Sequence, residues 1–517
     1  MFRIVTVAAL AFLLIPLWGC QSLPKDVART ASSMFTDTSS TRLERALADR
    51  VAANPEKTGI HPLRDGRDGF TARVLLAQVA ERSLDVQYYI WRDDTTGRLL
   101  SEAVWQAAER GVRVRILLDD ANTRGLDPTI AALDAHPNIE VRLFNPFANR
   151  GVRWGEAVTD FGRINRRMHN KSFVADSQAA IVGGRNIGDE YFDAGLAVGF
   201  ADMDVLAVGR VVREVARDFD RYWNSESAYP AASLIAPAAP DTLAGQRDAW
   251  ERSREEPGTV HYLDALRETT LVRSLLERSL QFEWVSAEVV SDDPAKVLQS
   301  PERRDSHMLP HLTNALGAPQ RELDLVSPYF VPGKEGTKAL LALVERGVQV
   351  RVLTNALATT DVPAVHAGYS RYREALLRGG VRLYELKPGV DIRSGKDRGG
   401  SRGIGSSTSG LHAKTFAVDR TRIFVGSFNL DPRSARLNTE MGVVLDSPVL
   451  AQRLSGFFDT VVPSSAYEVR LAAAGNGFEW HERSPAGETV LTSEPKSGFL
   501  RRFWVEILMF LPIEWLL

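Results

Sequence analysis

Hydrophobic and polar positions along the chain predict a repeated α/β unit. An apolar run at Leu84–Trp91 is followed by apolar residues at helical spacing from Leu99 to Ala108, then by a second run at Val112–Leu118. That order predicts strand, helix, strand. Gly111 falls just past the helix, where a C-terminal glycine is expected. The pattern returns in "RELDLVSPYFVPGKEGTKALLALVERGVQVRVLTNA" from Arg321, and Glu109-Arg110-Gly111-Val112 matches Glu345-Arg346-Gly347-Val348. The chain therefore carries an internal repeat. Alternating strands and helices predict an α/β fold of two halves, each a mixed or parallel sheet with helices on both faces. The expected organisation is a signal peptide over 1–19, a linker with an amphipathic helix (Ser40 to Ala53) over 20–60, and a first half over 61–235. A helical connector over 236–299, a second half over 300–470 and a C-terminal tail over 471–517 complete it.

Composition narrows the class. The 517 residues are 44% hydrophobic and 25% charged, as in a folded globular protein. Net charge is −2, so no global basic field draws in nucleic acid, and no nucleic-acid partner is expected. Cys20 is the only cysteine. Disulfides within the chain and thiol metal clusters are thereby excluded. Cys20 closes a short apolar segment that begins after Arg3 and runs to Trp18-Gly19. The segment is short for a membrane span and reads as a secretory leader. Leu17-Trp18-Gly19-Cys20 resembles a bacterial lipobox, in which the cysteine is diacylated, although Trp18 stands where a small residue is usual. The alternative is an uncleaved signal anchor. Gln21-Ser22 follow without an aspartate, which leaves sorting to the outer membrane open.

Each half ends in the same constellation. "MHNKSFVADSQAAIVGGRN" contains His169, Lys171, Asp176 and Asn186; "LHAKTFAVDRTRIFVGSFN" contains His412, Lys414, Asp419 and Asn429. A spacing of two places His and Lys on one face of a strand. Lysine brings fixed positive charge to a phosphoryl oxygen, asparagine brings an amide donor, and histidine serves as nucleophile or as acid near neutrality. Gly183-Gly184 and Gly426-Ser427 allow backbone or a small hydroxyl to approach a ligand. Asn186, Asn429 and Ser427 are accordingly the expected phosphate-binding residues. A single motif of this kind would be weak evidence. Two copies with equal His-to-Asn spacing, each after an equivalent strand–helix–strand unit, point to one shared chemistry.

These paired motifs resemble the phospholipase D superfamily, whose defining feature is the duplicated HKD sequence. "VQYYIWRDDTTGRLL", "GGRNIGDEYFDAG" and "RLNTEMGVV" narrow the likeness to bacterial cardiolipin synthases of the C type. The resemblance implies two similar α/β/α halves related by pseudo-twofold symmetry, with the active site at their interface. It implies His169, Lys171, Asp176, His412, Lys414 and Asp419 as the catalytic set, with no metal or other cofactor required. Asp176 and Asp419 fall at strand ends and are expected to hold loops rather than touch substrate. By the family pattern His169 is the nucleophile and His412 the general acid, and the reverse assignment stays open. Each histidine needs a carboxylate to fix its tautomer. Glu440 occupies the family position in the second half. Gly195-Leu196-Ala197 stands at the matching place in the first, so Asp202 is the expected partner of His169, with Asp204 the alternative.

Further expectations concern the surroundings. Arg163, Arg166 and Arg167 precede the first motif, and Arg393, Lys396, Arg398 and Arg402 the second; both groups are expected to guide anionic headgroups. The tail "GFLRRFWVEILMFLPIEWLL" is too short and too charged to span a bilayer and is expected to lie in its interface. The implied activity is phosphatidyl transfer making cardiolipin, with phosphatidylglycerol as acceptor and phosphatidylglycerol or phosphatidylethanolamine as donor at a membrane surface. Competing readings are hydrolysis to phosphatidic acid at the same site, an HKD nuclease, and a non-catalytic envelope lipoprotein. Donor preference, oligomeric state and any accessory protein are not legible in the sequence.

Overall fold

The computed structural model describes residues 22–194, 200–391, 396–397, 410–473 and 477–517. Cys20, residues 195–197, Arg393, Arg398 and Arg402 lie outside them, as does the side chain of Lys396.

Two large mixed sheets make up the protein. The first runs Ala228–Pro230, Ile139–Phe144, Arg113–Asp119, Ser83–Tyr88, Ser172–Ala175, Ala179–Gly183, Asp204–Gly209, Thr58–Leu63, Glu283–Val285 in spatial order. The second runs Ala287–Ser291, Met441–Leu445, Arg422–Gly426, Lys414–Val418, Glu322–Val326, Gln349–Asn355, Arg382–Leu386, Ala466–Leu471, Phe478–Ser484, Gly487–Leu491. The repeat shows in the pairing. Ser83–Tyr88 lies parallel to Arg113–Asp119 and antiparallel to Ser172–Ala175. Glu322–Val326 lies parallel to Gln349–Asn355 and antiparallel to Lys414–Val418.

Side-chain alternation sorts the core. Phe173 and Ala175 enter the core of the first half, and Phe416 and Val418 that of the second. Between them, Val174 and Ala417 point the other way. They join Ala180, Val182, Ile423 and Val425 in one cluster shared by the two sheets. The halves therefore meet face to face through the strands that carry the motifs. The helix Thr95–Glu109 shows why the local pattern holds. The Asp94 side chain accepts from the Gly97 amide at its N-terminus, Leu99, Leu100, Ala103 and Val104 are buried, and Gly111 follows with φ +90°.

Three boundaries differ from expectation. The connector is not wholly helical. After helices Pro240–Glu255, Pro257–Arg267 and Thr270–Leu276, its strand Glu283–Val285 closes the first sheet and Ala287–Ser291 opens the second. Both strands are short, so their period-two signal is weak. Residues 471–517 are more than a tail, because Phe478–Ser484 and Gly487–Leu491 extend the second sheet. The first sheet also begins before residue 61, at Thr58. The expected N-terminal helix is present as Arg42–Ala52, with the Thr41 side chain accepting from the Glu44 amide.

Candidate active site

Asp176 and Asp419 stand in equivalent tight turns. Asp176 and Ser177 have φ of 52° and 53°, and Asp419 and Arg420 have 53° and 58°. The turns close through Gln178 N to Ala175 O at 2.9 Å and Thr421 N to Val418 O at 3.0 Å. Two successive left-handed residues match the twist of a hairpin, and aspartate tolerates that conformation. Each carboxylate then accepts backbone amides from the start of the neighbouring strand: Glu81, Arg82 and Ser83 at 2.7–3.2 Å for Asp176, and Gln320, Arg321 and Glu322 at 2.7–3.2 Å for Asp419. Both carboxylates are thus occupied at the turn ends, as scaffold. Asp176→Ala leaves three amides without their acceptor. It is expected to lower unfolding free energy by about 1–3 kcal/mol in urea titration while turnover of the folded fraction stays within a few-fold. A specific loss of turnover without loss of stability would place Asp176 in the chemistry instead.

The residues that precede each strand come together across the interface between the halves. Met168 pairs with Thr439 and Ala201 with Leu411 in isolated parallel bridges. His169 N donates to Thr439 O at 2.8 Å, and His412 N donates to Ala201 O at 2.9 Å. The next residue after Thr439 is Glu440, and the next after Ala201 is Asp202. Each histidine therefore meets the carboxylate of the other half. His169 Nδ1 donates to Glu440 Oε2 at 2.7 Å, and His412 Nδ1 to Asp202 Oδ2 at 2.5 Å. The expected pairing of Asp202 with His169 is corrected: Asp202 serves His412, and Glu440 serves His169. The alternative, Asp204, is held in a buried ion pair with Arg73 at 2.9 Å.

Symmetric second partners hold these segments. Asp119, at the end of its strand, accepts from Met168 N at 2.8 Å; Asn355, at the equivalent strand end, accepts from Leu411 N at 3.0 Å. Glu440 is more elaborately held than Asp202. Its carboxylate accepts from Ser427 Oγ at 2.5 Å and Ser434 Oγ at 2.8 Å, and its amide donates to Asp292 at 2.8 Å. The Ser427 hydroxyl also accepts from Met441 N at 3.0 Å. Ser427, expected on phosphate, is thus committed to orienting Glu440. The first half has Gly184 at this position. A Cβ there would sit 2.3 Å from Asp202 Oδ1, so the shorter carboxylate fills the space that Ser427 fills opposite.

Burial and like charge set the protonation. Burial pushes the His169 imidazole well below its ordinary value, and Lys171, Lys414 and His412 push it the same way. Burial and Lys414 also lower His412, but Asp202 opposes them. Burial raises Asp202, yet the charge and hydrogen bond of His412 outweigh it and hold the carboxyl well below the usual range. Burial raises Glu440 against the pull of Lys171. Both imidazoles are thus lowered, His169 the further, because Asp202 opposes the shift at His412. Lys171 is held well below its ordinary value by burial, and Lys414 is lowered to about 8. Both ammonium groups donate to the carbonyl of the histidine two residues before.

The asparagines differ from one another. Asn186 donates to Tyr191 Oη at 3.1 Å and accepts from Ile90 N at 3.2 Å. The buried Asn429 Oδ1 has no hydrogen-bond partner among the described residues. Aromatic side chains wall both histidines. Tyr89 lies edge-on to His169 at 4.9 Å, while Tyr191 at 5.1 Å and Phe200 at 5.4 Å flank His412. Tyr89 and Tyr191 were visible in "VQYYIW" and "GDEYFD", but nothing in their spacing signals contact with a histidine in a distant strand. The arginines before the first motif are structural. Arg163 binds Glu156 and Asp160, Arg167 is buried against Asn145 O, and Arg166 donates to backbone carbonyls at 297 and 299. Among the described residues no cluster of three or more His, Cys, Asp or Glu is placed to hold a metal ion.

Comparison with known proteins gives a consistent result. The family model "Cardiolipin synthase, PLD-like domain" matches residues 75–223 and 312–462. The chain is 45% identical over 478 residues to cardiolipin synthase C of Escherichia coli K12, covering 92% of this chain and 100% of the relative. It is 26% identical to a cardiolipin synthase of Halalkalibacterium halodurans, over 77% of this chain and 65% of that one. Among solved structures, phosphatidylserine synthase of Haemophilus influenzae Rd KW20 superposes with a TM-score of 0.52 at 14% identity, covering 84% of this chain and 92% of that one. The last likeness bears on the fold alone.

Proposed function

The chain belongs to the cardiolipin synthase, phospholipase D-like domain family, and from that membership we propose that it transfers a phosphatidyl group between phospholipids to make cardiolipin, through a phosphatidyl-histidine. The observation that carries the mechanism is the crossed pair of hydrogen bonds at the interface. With Nδ1 of each histidine donated to a carboxylate, Nε2 of each is the nitrogen left for chemistry. His169, the more readily neutral, offers its Nε2 lone pair to phosphorus. A nitrogen–phosphorus bond forms, the bond to the leaving oxygen breaks, and that oxygen takes a proton from His412. In the second step His412 removes the proton from the acceptor hydroxyl. The resulting oxygen attacks phosphorus and His169 departs. Lys171 and Lys414 stabilise charge on the non-bridging oxygens as the transition state is passed. Asn186 and Asn429 are assigned to the same oxygens, Asn186 through its second N–H. Phosphatidylglycerol is the proposed acceptor, with phosphatidylglycerol or phosphatidylethanolamine the donor.

Water and a glycerol hydroxyl can resolve the same intermediate, so hydrolysis to phosphatidic acid is the second reading. One assay separates them. Purified protein is incubated with labelled phosphatidylglycerol, labelled phosphatidylethanolamine and DNA. Cardiolipin as the main labelled product supports transfer, phosphatidic acid alone supports hydrolysis, and cleaved DNA overturns both.

The reading extends to location: a bacterial envelope protein anchored through acylated Cys20. It is carried by the lipobox-like sequence at the only cysteine and by the membrane substrates of the proposed reaction. Palmitate labelling of the parent, absent from Cys20→Ser, is the expected result. Equal labelling of both would leave a signal anchor in place of the lipid.

A further inference from the structure

The C-terminal helix Phe499–Phe510 is oriented opposite to a helix on a water-facing surface. Its inward face holds Arg501, which donates to Thr360 O at 2.5 Å, while Arg502 donates to the exposed Ser493 Oγ at 3.1 Å. Val505 is buried against Leu357 and Ala367, with Leu508 and Met509 beside it. Residues 501, 505, 508 and 509 share one helical face. The outward face is instead mostly apolar, with Glu506 its one charged residue. Phe499 is 72% exposed, Leu500 69%, Phe503 46%, Trp504 59% and Phe510 88%, and Trp515 just beyond is 55% exposed. Soluble proteins rarely gather so many large apolar groups at one exposed place unless something covers them. The expectation that Arg501 meets anionic lipid is corrected, since it is turned toward Thr360 O.

The segment is rigidly joined to the catalytic framework. Leu517 is buried against Val331 and Val365. A Cβ at Gly368 would lie 2.5 Å from Leu517 Cδ1, so glycine there makes room for the terminus. Arg433 N donates to Leu517 O at 2.6 Å and Arg433 Nε to Leu516 O at 3.0 Å. The next residue, Ser434, holds Glu440. The anchor of Arg501, Thr360, precedes Asp361, whose charge acts on Lys414. Across the interface, Trp515 meets Phe161 of the first half edge-on at 6.2 Å, and Phe161 and Val158 are themselves exposed.

We propose that the outward face of Phe499–Phe510, continued by Trp515, Phe161 and Val158, is the surface on which the protein rests against a lipid bilayer, beside its active site. The choice of lipid over a protein partner rests on the phospholipid substrate proposed above. It also rests on the helix lying on the surface as a ridge of Phe and Trp, which suits the headgroup boundary. Phe499–Phe510 has 12 residues, too few to cross a bilayer, so this contact lies along the surface. Deleting 499–517 would remove Val505 and Leu517 from the core, so substitutions on the outward face are the cleaner test. The full chain is mixed with vesicles of phosphatidylglycerol and phosphatidylethanolamine carrying brominated acyl chains, which quench nearby tryptophan. The expected result is a quenched component that disappears in Trp504→Phe/Trp515→Phe. In Phe503→Ser/Trp504→Ser/Phe510→Ser, turnover on vesicles is expected to fall by about tenfold or more, while turnover of a short-chain soluble phospholipid stays within twofold. Equal quenching of parent and variant overturns the proposal. So does equal loss on both substrates, or a parent dimer that becomes a monomer in the variant without change in quenching. Quenching needs no turnover, so docking can stand even if the protein proves inactive on every lipid.

Discussion

His169→Ala abolishes transfer and hydrolysis together, by on the order of 10⁴-fold or more, and no phosphatidyl adduct is trapped from labelled phospholipid. The magnitude follows from what is removed. Without the Nε2 lone pair no nitrogen–phosphorus bond forms, and a nearby water lacks an oriented base on that side of phosphorus. The side chain is buried and reaches Glu440, so a thermal melt accompanies the kinetics; a folded, inactive protein is the expected state. His412→Ala behaves differently. It loses the acid, but a donor with an acidic leaving group, such as a p-nitrophenyl ester, needs no proton on departure. The adduct should form from that donor and persist, because no base activates the acceptor. An adduct in His169→Ala and none in His412→Ala would reverse the two roles.

Glu440→Gln is the second large effect, expected to lower turnover by roughly 10²–10⁴-fold. Glutamine is nearly isosteric and keeps a carbonyl for the serines, but it removes the charge that steadies His169 as positive charge develops there. The crossed geometry makes the comparison with Asp202→Asn informative. With the p-nitrophenyl donor, Asp202→Asn should retain adduct formation, because it weakens only the acid. Glu440→Gln should slow it, because it weakens the nucleophile. If the carboxylates acted within their own halves, the two variants would exchange behaviour.

Much of this arrangement was legible in local sequence. The two strand–helix–strand units, the glycine after each helix and both motifs are patterns within single continuous stretches of chain. The turn role of Asp176 and Asp419 was legible for the same reason. The partner of each histidine was not. It is fixed by backbone pairing of Met168 with Thr439 and Ala201 with Leu411, contacts between segments more than 200 residues apart that leave no periodic trace. Reading Asp202 as belonging to its own half assumed that each half completes its own site. The two sheets instead meet through the shared cluster around Val174 and Ala417, and the residue just before each of Asp202 and Glu440 pairs with the other half. Ser427 misled for a related reason. A serine after glycine suggests a phosphate hydroxyl, and only the position of Glu440 shows where that proton goes. The short strands Glu283–Val285 and Ala287–Ser291 were hidden because three and five residues give too little alternation to count.

The central claim is that His169, oriented by Glu440 from the opposite half, carries the phosphatidyl group. Rapid quenching of His412→Ala with labelled phosphatidyl-p-nitrophenol, digestion, and mapping of the phosphorylated peptide tests it most directly. The account predicts label on the peptide containing His169 in this variant, and slower labelling when Glu440→Gln is added. An unlabelled His169 peptide, or a label unaffected by Glu440→Gln, would contradict it.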